Sequence, residues 1–272
     1  MEELRAPRVG PDYVGVGTGN AGCAWWHKLL LEHPEVKRSP TGRALEFFAT
    51  FCTRPMTDDD IATYHGHFPP GDGVIGEWTA DYIHQAWTPM LLQRAAPGAK
   101  LLVMLTNPLH RYAATVAERR RSGDSDTQPS LAEALARGRY TEQLRGLLDY
   151  YARDQILVLQ FERCVAKPAS EYERTLRFLG VDTGFRPEVL RTSPLQRARR
   201  AISGAEQPDI GAPTRRRADL WPDTAIPLQK ALEADVLQLR EFVPDLDLSL
   251  WPEFAHLGDT EPDTPALNPI SV

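Results

Sequence analysis

Apolar positions follow two rhythms along this chain. Four short runs, Tyr13–Val16, Val74–Trp78, Leu101–Leu105 and Ile156–Gln160, are apolar at nearly every position and end at turn residues. Continuous apolar runs of this length predict strands buried on both faces. Between them the apolar spacing changes to three and four. It predicts helices over Cys23–Glu32, from Thr57 toward His67, over Pro89–Ala96, from Leu109 to about Arg121, and over Pro168–Leu179 and Pro227–Phe242. Start and stop signals support them: three aspartates follow Thr57, Pro168 opens its helix, and Gly180 closes it. Ser130–Tyr151 reads as one long helix with Leu131, Leu135, Leu144, Leu147 and Leu148 on its apolar side. Arg43–Phe51 reads as irregular or briefly extended. Strands alternating with helices imply an α/β fold with a mostly parallel central sheet, and ligands in such sheets sit beyond the carboxyl ends of the strands.

The segment 193–218 breaks the pattern. It is rich in Arg, Pro and Gly, has little periodicity, and reads as a long loop, either a lid or a solvated flexible segment. The expected organisation is one domain over residues 1–256 and a loose tail over 257–272. A chain of 272 residues, 42% hydrophobic and 25% charged, can bury a core of that size. Net charge is −6, which gives no nucleic-acid footprint. Only five of the 31 basic residues are lysines, and arginine suits planar contacts to anions. Three cysteines without metal-like spacing fit a reduced cytoplasm. No apolar signal core opens the chain and no run is long enough for a membrane span, so neither membrane nor nucleic acid is an expected partner. The expected partners are a small-molecule substrate and a second copy of the chain.

The stretch "VGVGTGNAGCAWW" carries the candidate chemistry. Gly17, Gly19 and Gly22 satisfy the dinucleotide-binding spacing, but that reading needs a second parallel strand about 20 residues on, ending in Asp or Glu. "EHPEVKRSPTGR" offers none. Gly17 and Gly22 also have P-loop spacing, yet Cys23 and Ala24 follow where Lys and a hydroxyl would hold phosphate and magnesium. What remains is a set of main-chain amides at a helix start, where the helix dipole favours an anion. A tight strand–helix turn with no ligand is the alternative.

Five segments in order resemble the bacterial sulfotransferase family, whose members move a sulfo group from 3′-phosphoadenosine-5′-phosphosulfate (PAPS) to a hydroxyl or amine. They are "NAGCAWWHKLLLEHPEV", "GEWTADYI", "GAKLLVMLTNPLHRYAAT", "QILVLQFERCVAKPASEYERTLRFLGVD" and "LQKALEADVLQLREFVPDLDLSLW". The resemblance covers roughly residues 12–255 and implies a P-loop-like sulfotransferase fold. It implies that Gly19, Asn20, Ala21, Gly22, Cys23, Thr106 and Arg111 bind PAPS as co-substrate. Several of these depart from the family's pattern. Asn20 stands for the loop Lys, Cys23 for a Thr, Thr106 for the Arg of Arg-Asn-Pro, and Ala114 for a Ser, whereas Arg111 is kept. Arginines of the 193–218 loop (Arg197, Arg199, Arg200, Arg215 to Arg217) are expected substitutes for the missing charge. The implied activity is sulfo transfer to a small metabolite or natural product. A protein of this fold that has lost PAPS and does other chemistry, or only binds, is the alternative.

Candidate bases are Glu46, which lies two residues beyond Ala44 in the family's base segment, His27 on the first helix, and Glu77 at a strand end. Asp81 flanks the same strand end. Cys23 at a helix start is expected to have a lowered thiol pKa. Trp25, Trp26, Trp78 and Trp87 either line an acceptor pocket or pack the core. His65, His67 and His84 lack supporting carboxylates or cysteines, so no metal is expected.

Overall fold

A computed structural model describes residues 9–40, 44–122, 129–191 and 222–258. Five parallel strands form its centre: β1 (Tyr13–Gly17), β2 (Val36–Arg38), β3 (Val74–Trp78), β4 (Lys100–Leu105) and β5 (Ile156–Gln160), in the order β2-β3-β1-β4-β5. The continuous apolar runs have a clear cause. Val14, Val16, Leu101, Val103, Leu105, Ile156 and Val158 point to one buried face, while Tyr13, Leu102, Met104, Leu157 and Leu159 point to the other. Helices cover both faces. One layer contains α1 (Cys23–Leu30) and α8 (Pro168–Leu179), through Trp26, Leu30, Tyr172 and Leu176. The other contains α3 (Thr88–Ala95), α4 (Pro108–Arg121), α5 (Leu131–Gly138), α6 (Tyr140–Leu148) and α10 (Pro222–Phe242). The α/β architecture with a parallel sheet is thus as expected.

Four expectations change. The strand β2 exists, although it has only three residues; it pairs with β3, not β1, and Ser39 follows it where a dinucleotide fold needs an acid. The expected helix 130–151 is two, because Arg139 leaves helical geometry at φ −80°, ψ 75°. The segment read as irregular or briefly extended, described from residue 44 on, contains most of a 3₁₀ helix over Phe47–Cys52. The last long helix starts at Pro222, ahead of Pro227. A short helix α7 (Phe161–Ala166), absent from the sequence reading, follows β5 directly. The 193–218 loop and the 259–272 part of the tail lie outside the described residues.

This strand order positions the site. Chain leaving β1 returns through β2 and β3 on one side, and β4 lies on the other. The carboxyl end of β1 is therefore the switch point, where neighbouring loops diverge and open a crevice.

Candidate active site

Beyond β1 the chain turns over Thr18–Gly22 into α1. Thr18 pins the turn to β4: its amide and its hydroxyl both donate to the Met104 carbonyl, at 2.7 and 3.1 Å. Asn20 (φ 59°) and Gly22 (φ 77°) take left-handed geometry. Only glycine fits position 22, since a Cβ there would lie 2.2 Å from the Phe161 ring. Main-chain amides of Gly19, Asn20, Ala21, Gly22 and Cys23 donate to no protein acceptor among the described residues. Successive N–H groups without acceptors at a helix start suit an anion.

The side chains of the turn face elsewhere. Cys23 Sγ donates back to the Gly17 and Thr18 carbonyls at 3.1 and 3.0 Å. Burial pushes its thiol well above the usual range, so the lowered pKa expected of a helix start is corrected: desolvation outweighs the dipole. Asn20 Nδ2 donates to Thr115 Oγ1 (3.1 Å) and Glu118 Oε2 (3.2 Å) on α4.

Arg111 is the second feature. Asn107 caps α4 by accepting from the amides of Leu109 and His110, and Pro108 follows, so the helix starts at the very end of β4. That places Arg111 one turn in, 2% exposed. Its Nε has no hydrogen-bond partner, and no carboxylate pairs with it among the described residues. The Tyr140 hydroxyl donates to the Thr106 carbonyl at 2.9 Å and lies against both Arg111 and Thr18. Burial raises the Tyr140 phenol's pKa and the Arg111 charge opposes the rise. Nearby His84 has both ring nitrogens buried without partners. Its pKa falls to about 3, through burial first, then the Arg111 and Arg137 charges. A buried guanidinium, an unpartnered neutral imidazole and free amides thus gather at the switch point.

Thr106 does not join them. It is fully buried and its hydroxyl donates to Glu162 Oε1 at 2.6 Å, so that hydroxyl proton is engaged inside the protein. Glu162 also accepts from the Asn107 amide and from Trp251 Nε1, tying β4 to the closing segment.

A cleft of about 1130 Å³ opens beside the turn, lined by Cys23, His27, Lys28, Arg38, Glu46 and Glu77 among others. All three candidate bases therefore meet in one place. They differ in state. Glu46, at φ 48°, is exposed at the rim. The ring Nε2 of His27 is 3.1 Å from the Tyr13 hydroxyl, and burial and then the Arg38 charge lower its pKa to about 4. Glu77 is 1% exposed and accepts four hydrogen bonds, from the Leu45 amide, Tyr64, Thr79 and Tyr82. Burial raises its pKa against those bonds. With its lone pairs taken, Glu77 holds the 45–47 segment in place. Trp78 lines the cleft, whereas Trp26 packs the core, Trp25 meets Phe161 and Trp87 donates to the Phe48 carbonyl. His65 bonds the Ala95 carbonyl, so the three histidines do not form one site.

Sequence reasoning missed Tyr140, Arg137 and the unpartnered state of His84. Their importance comes from the break at Arg139 and from packing across the sheet, and no local spacing announces either.

Comparison with known proteins agrees with this geometry. Residues 84–194 match the family described as Sulfotransferase domain. The chain is 30% identical over 189 residues to mouse heparan sulfate glucosamine 3-O-sulfotransferase 6, covering 63% of this chain and 52% of that protein. It is 26% identical over 195 residues to human bifunctional heparan sulfate N-deacetylase/N-sulfotransferase 2, covering 63% of this chain and 22% of that protein. The matches thus span about a fifth to a half of those relatives' lengths. A sulfotransferase from Alicyclobacillus acidocaldarius superimposes with a TM-score of 0.63 at 22% identity, over 90% of this chain and all of the other. The chain has the sulfotransferase fold. Among the described residues, no helix is long and apolar enough to cross a membrane.

Proposed function

We propose that this chain is a sulfotransferase that uses PAPS and a small hydroxylated or aminated acceptor held in the cleft. One observation carries the reading: the amides of the Gly19–Cys23 turn, without acceptors among the described residues, stand near a buried Arg111 that has no counter-charge among those residues. A charge left unpaired in low dielectric is costly, and its usual reason is a ligand. The turn amides take the 5′-phosphosulfate end of the donor and Arg111 takes the 3′-phosphate. In the transfer, the bond from sulfur to the 5′-phosphate oxygen breaks as the acceptor oxygen or nitrogen bonds sulfur. The acceptor proton goes to a base on the cleft wall. Glu46 is the base in this reading, because its exposed carboxylate has no hydrogen-bond partner among the described residues, whereas His27 is largely buried and engaged by the Tyr13 hydroxyl. Glu77 positions the segment that carries Glu46.

The experiment is calorimetry with 3′-phosphoadenosine-5′-phosphate, the desulfated product. Binding that is lost in Arg111→Gln supports the reading, whereas absence of heat at millimolar nucleotide removes it.

A second reading has its own observation. Asp81 Oδ1 lies 3.6 Å from where a Cβ at Gly19 would be, and Glu118 holds Asn20. Two carboxylates beside a turn without its lysine favour a ligand of lower charge, and a reaction other than PAPS-dependent transfer. The same titration separates the two.

A further inference from the structure

With Asn20 at the turn, the donor site lacks a side-chain cation where charge builds on the leaving phosphate. Arg111 is deeply buried at α4, and Lys28 and Arg38 line the acceptor cleft. Among the described residues, one other cation reaches the turn. Arg137, in the last turn of α5, places Nη1 3.1 Å from Asp81 Oδ1, the same oxygen that borders Gly19. Its Nε is 3.5 Å from Glu133, one helical turn back. Its charge and that of Arg111 both lower the pKa of the unpartnered His84 imidazole.

We infer that Arg137 is the cation that completes the donor site, held by Asp81 until a phosphate takes it. The inference rests on the proposed reading of the Gly19–Cys23 turn as a phosphate site. Exposure makes the exchange feasible: the Arg137 and Asp81 side chains are 36% and 56% exposed, and a pair that open is only weakly held. A phosphate group offers the planar guanidinium two oxygens and more charge than one carboxylate. Asp81 has two effects on an anion in the turn. It repels the anion directly, and it occupies the guanidinium. Its removal is therefore expected to help binding.

Opposite signs in the two single variants, weaker binding in Arg137→Gln and tighter binding in Asp81→Asn, separate a ligand-binding arginine from a structural ion pair between α5 and the segment after β3. Calorimetry with 3′-phosphoadenosine-5′-phosphate on the full chain, with Tm recorded for every variant, provides the test. Arg137→Gln is expected to weaken binding about 10- to 100-fold, the effect of one charged hydrogen-bonding group. Arg137→Lys retains part of it. Asp81→Asn tightens binding about 3- to 10-fold at low salt, in line with removal of one exposed like charge. The double variant binds more weakly than wild type but more tightly than Arg137→Gln, because the direct repulsion by Asp81 is gone whether or not the guanidinium is present. Wild-type affinity in Arg137→Gln overturns the inference and leaves the donor site standing. So does weakening in both single variants in step with a falling Tm, which marks a purely structural pair. No binding by the wild type removes the phosphate-site reading, and the inference with it.

Discussion

Arg111 shows how much one residue can say. It was legible in the sequence as the residue directly after "NPLH", but its isolation was not, because isolation depends on what α5 and α6 bring near. A buried cation without a partner lowers stability in the unliganded protein. Arg111→Met is therefore expected to raise Tm in the absence of ligand, by about 1–2 kcal/mol equivalent, while abolishing nucleotide binding. Thermal melts with and without nucleotide check both halves. The thiols give a second test. Cys52 is exposed, Cys23 and Cys164 are buried, and burial raises the pKa of both buried thiols. One thiol per native chain should react rapidly with a disulfide reagent at pH 8, and three after unfolding. Rapid labelling of Cys23 would contradict the packing of the turn. The histidines set the acid response. His27 and His84 have folded pKa values of about 4 and about 3, against 6.5 unfolded. Between those values the unfolded chain binds more protons, so stability is complete above about 6.5 and falls as pH drops toward 4. In His84→Asn that slope should be shallower in Tm measured from pH 7.5 to 4.

At the scale of elements, the strands and most helices were readable because burial on both faces of a parallel sheet forces continuous apolar runs. What failed was boundary and phase. β2 is three residues long, too short to announce itself between His33-Pro34 and Ser39. The expected helix over 130–151 has leucines at 131 and 135, then at 144, 147 and 148. That gap marks the break at Arg139, after which Tyr140 points onto Thr106 and Arg111. A cofactor role for Thr106 could be read only by resemblance, and Glu162, which takes its hydroxyl, comes from a helix that the sequence did not reveal. Glu77 offers a test of element positioning. In Glu77→Gln an NH₂ meets hydroxyl or amide donors, leaving buried groups unsatisfied at about 1–3 kcal/mol. Tm should fall, and nucleotide affinity should change less than acceptor turnover, since the four bonds anchor the cleft wall and not the turn. Equal loss of both would place Glu77 in the donor site instead.

For the whole molecule, parallel topology follows from alternation, but strand order does not. Nothing local says that β3, not β2, borders β1, and that order creates the crevice in which turn, Arg111 and cleft converge. The net charge of −6 is unevenly spread: Lys28, Arg38, Arg111 and Arg137 lie around that crevice, interleaved with Glu46, Glu77, Asp81 and Glu118. Binding to the folded state alone should stabilise the chain by about 2.7 kcal/mol at a ligand concentration of 100 times Kd. The measurement closest to the heart of the matter is a calorimetric titration of 3′-phosphoadenosine-5′-phosphate at low salt into wild type and Arg111→Met in parallel. One molecule bound per chain in the wild type, with no heat in the variant, is the expected result. Millimolar nucleotide without heat in the wild type, or equal binding by both proteins, would contradict it.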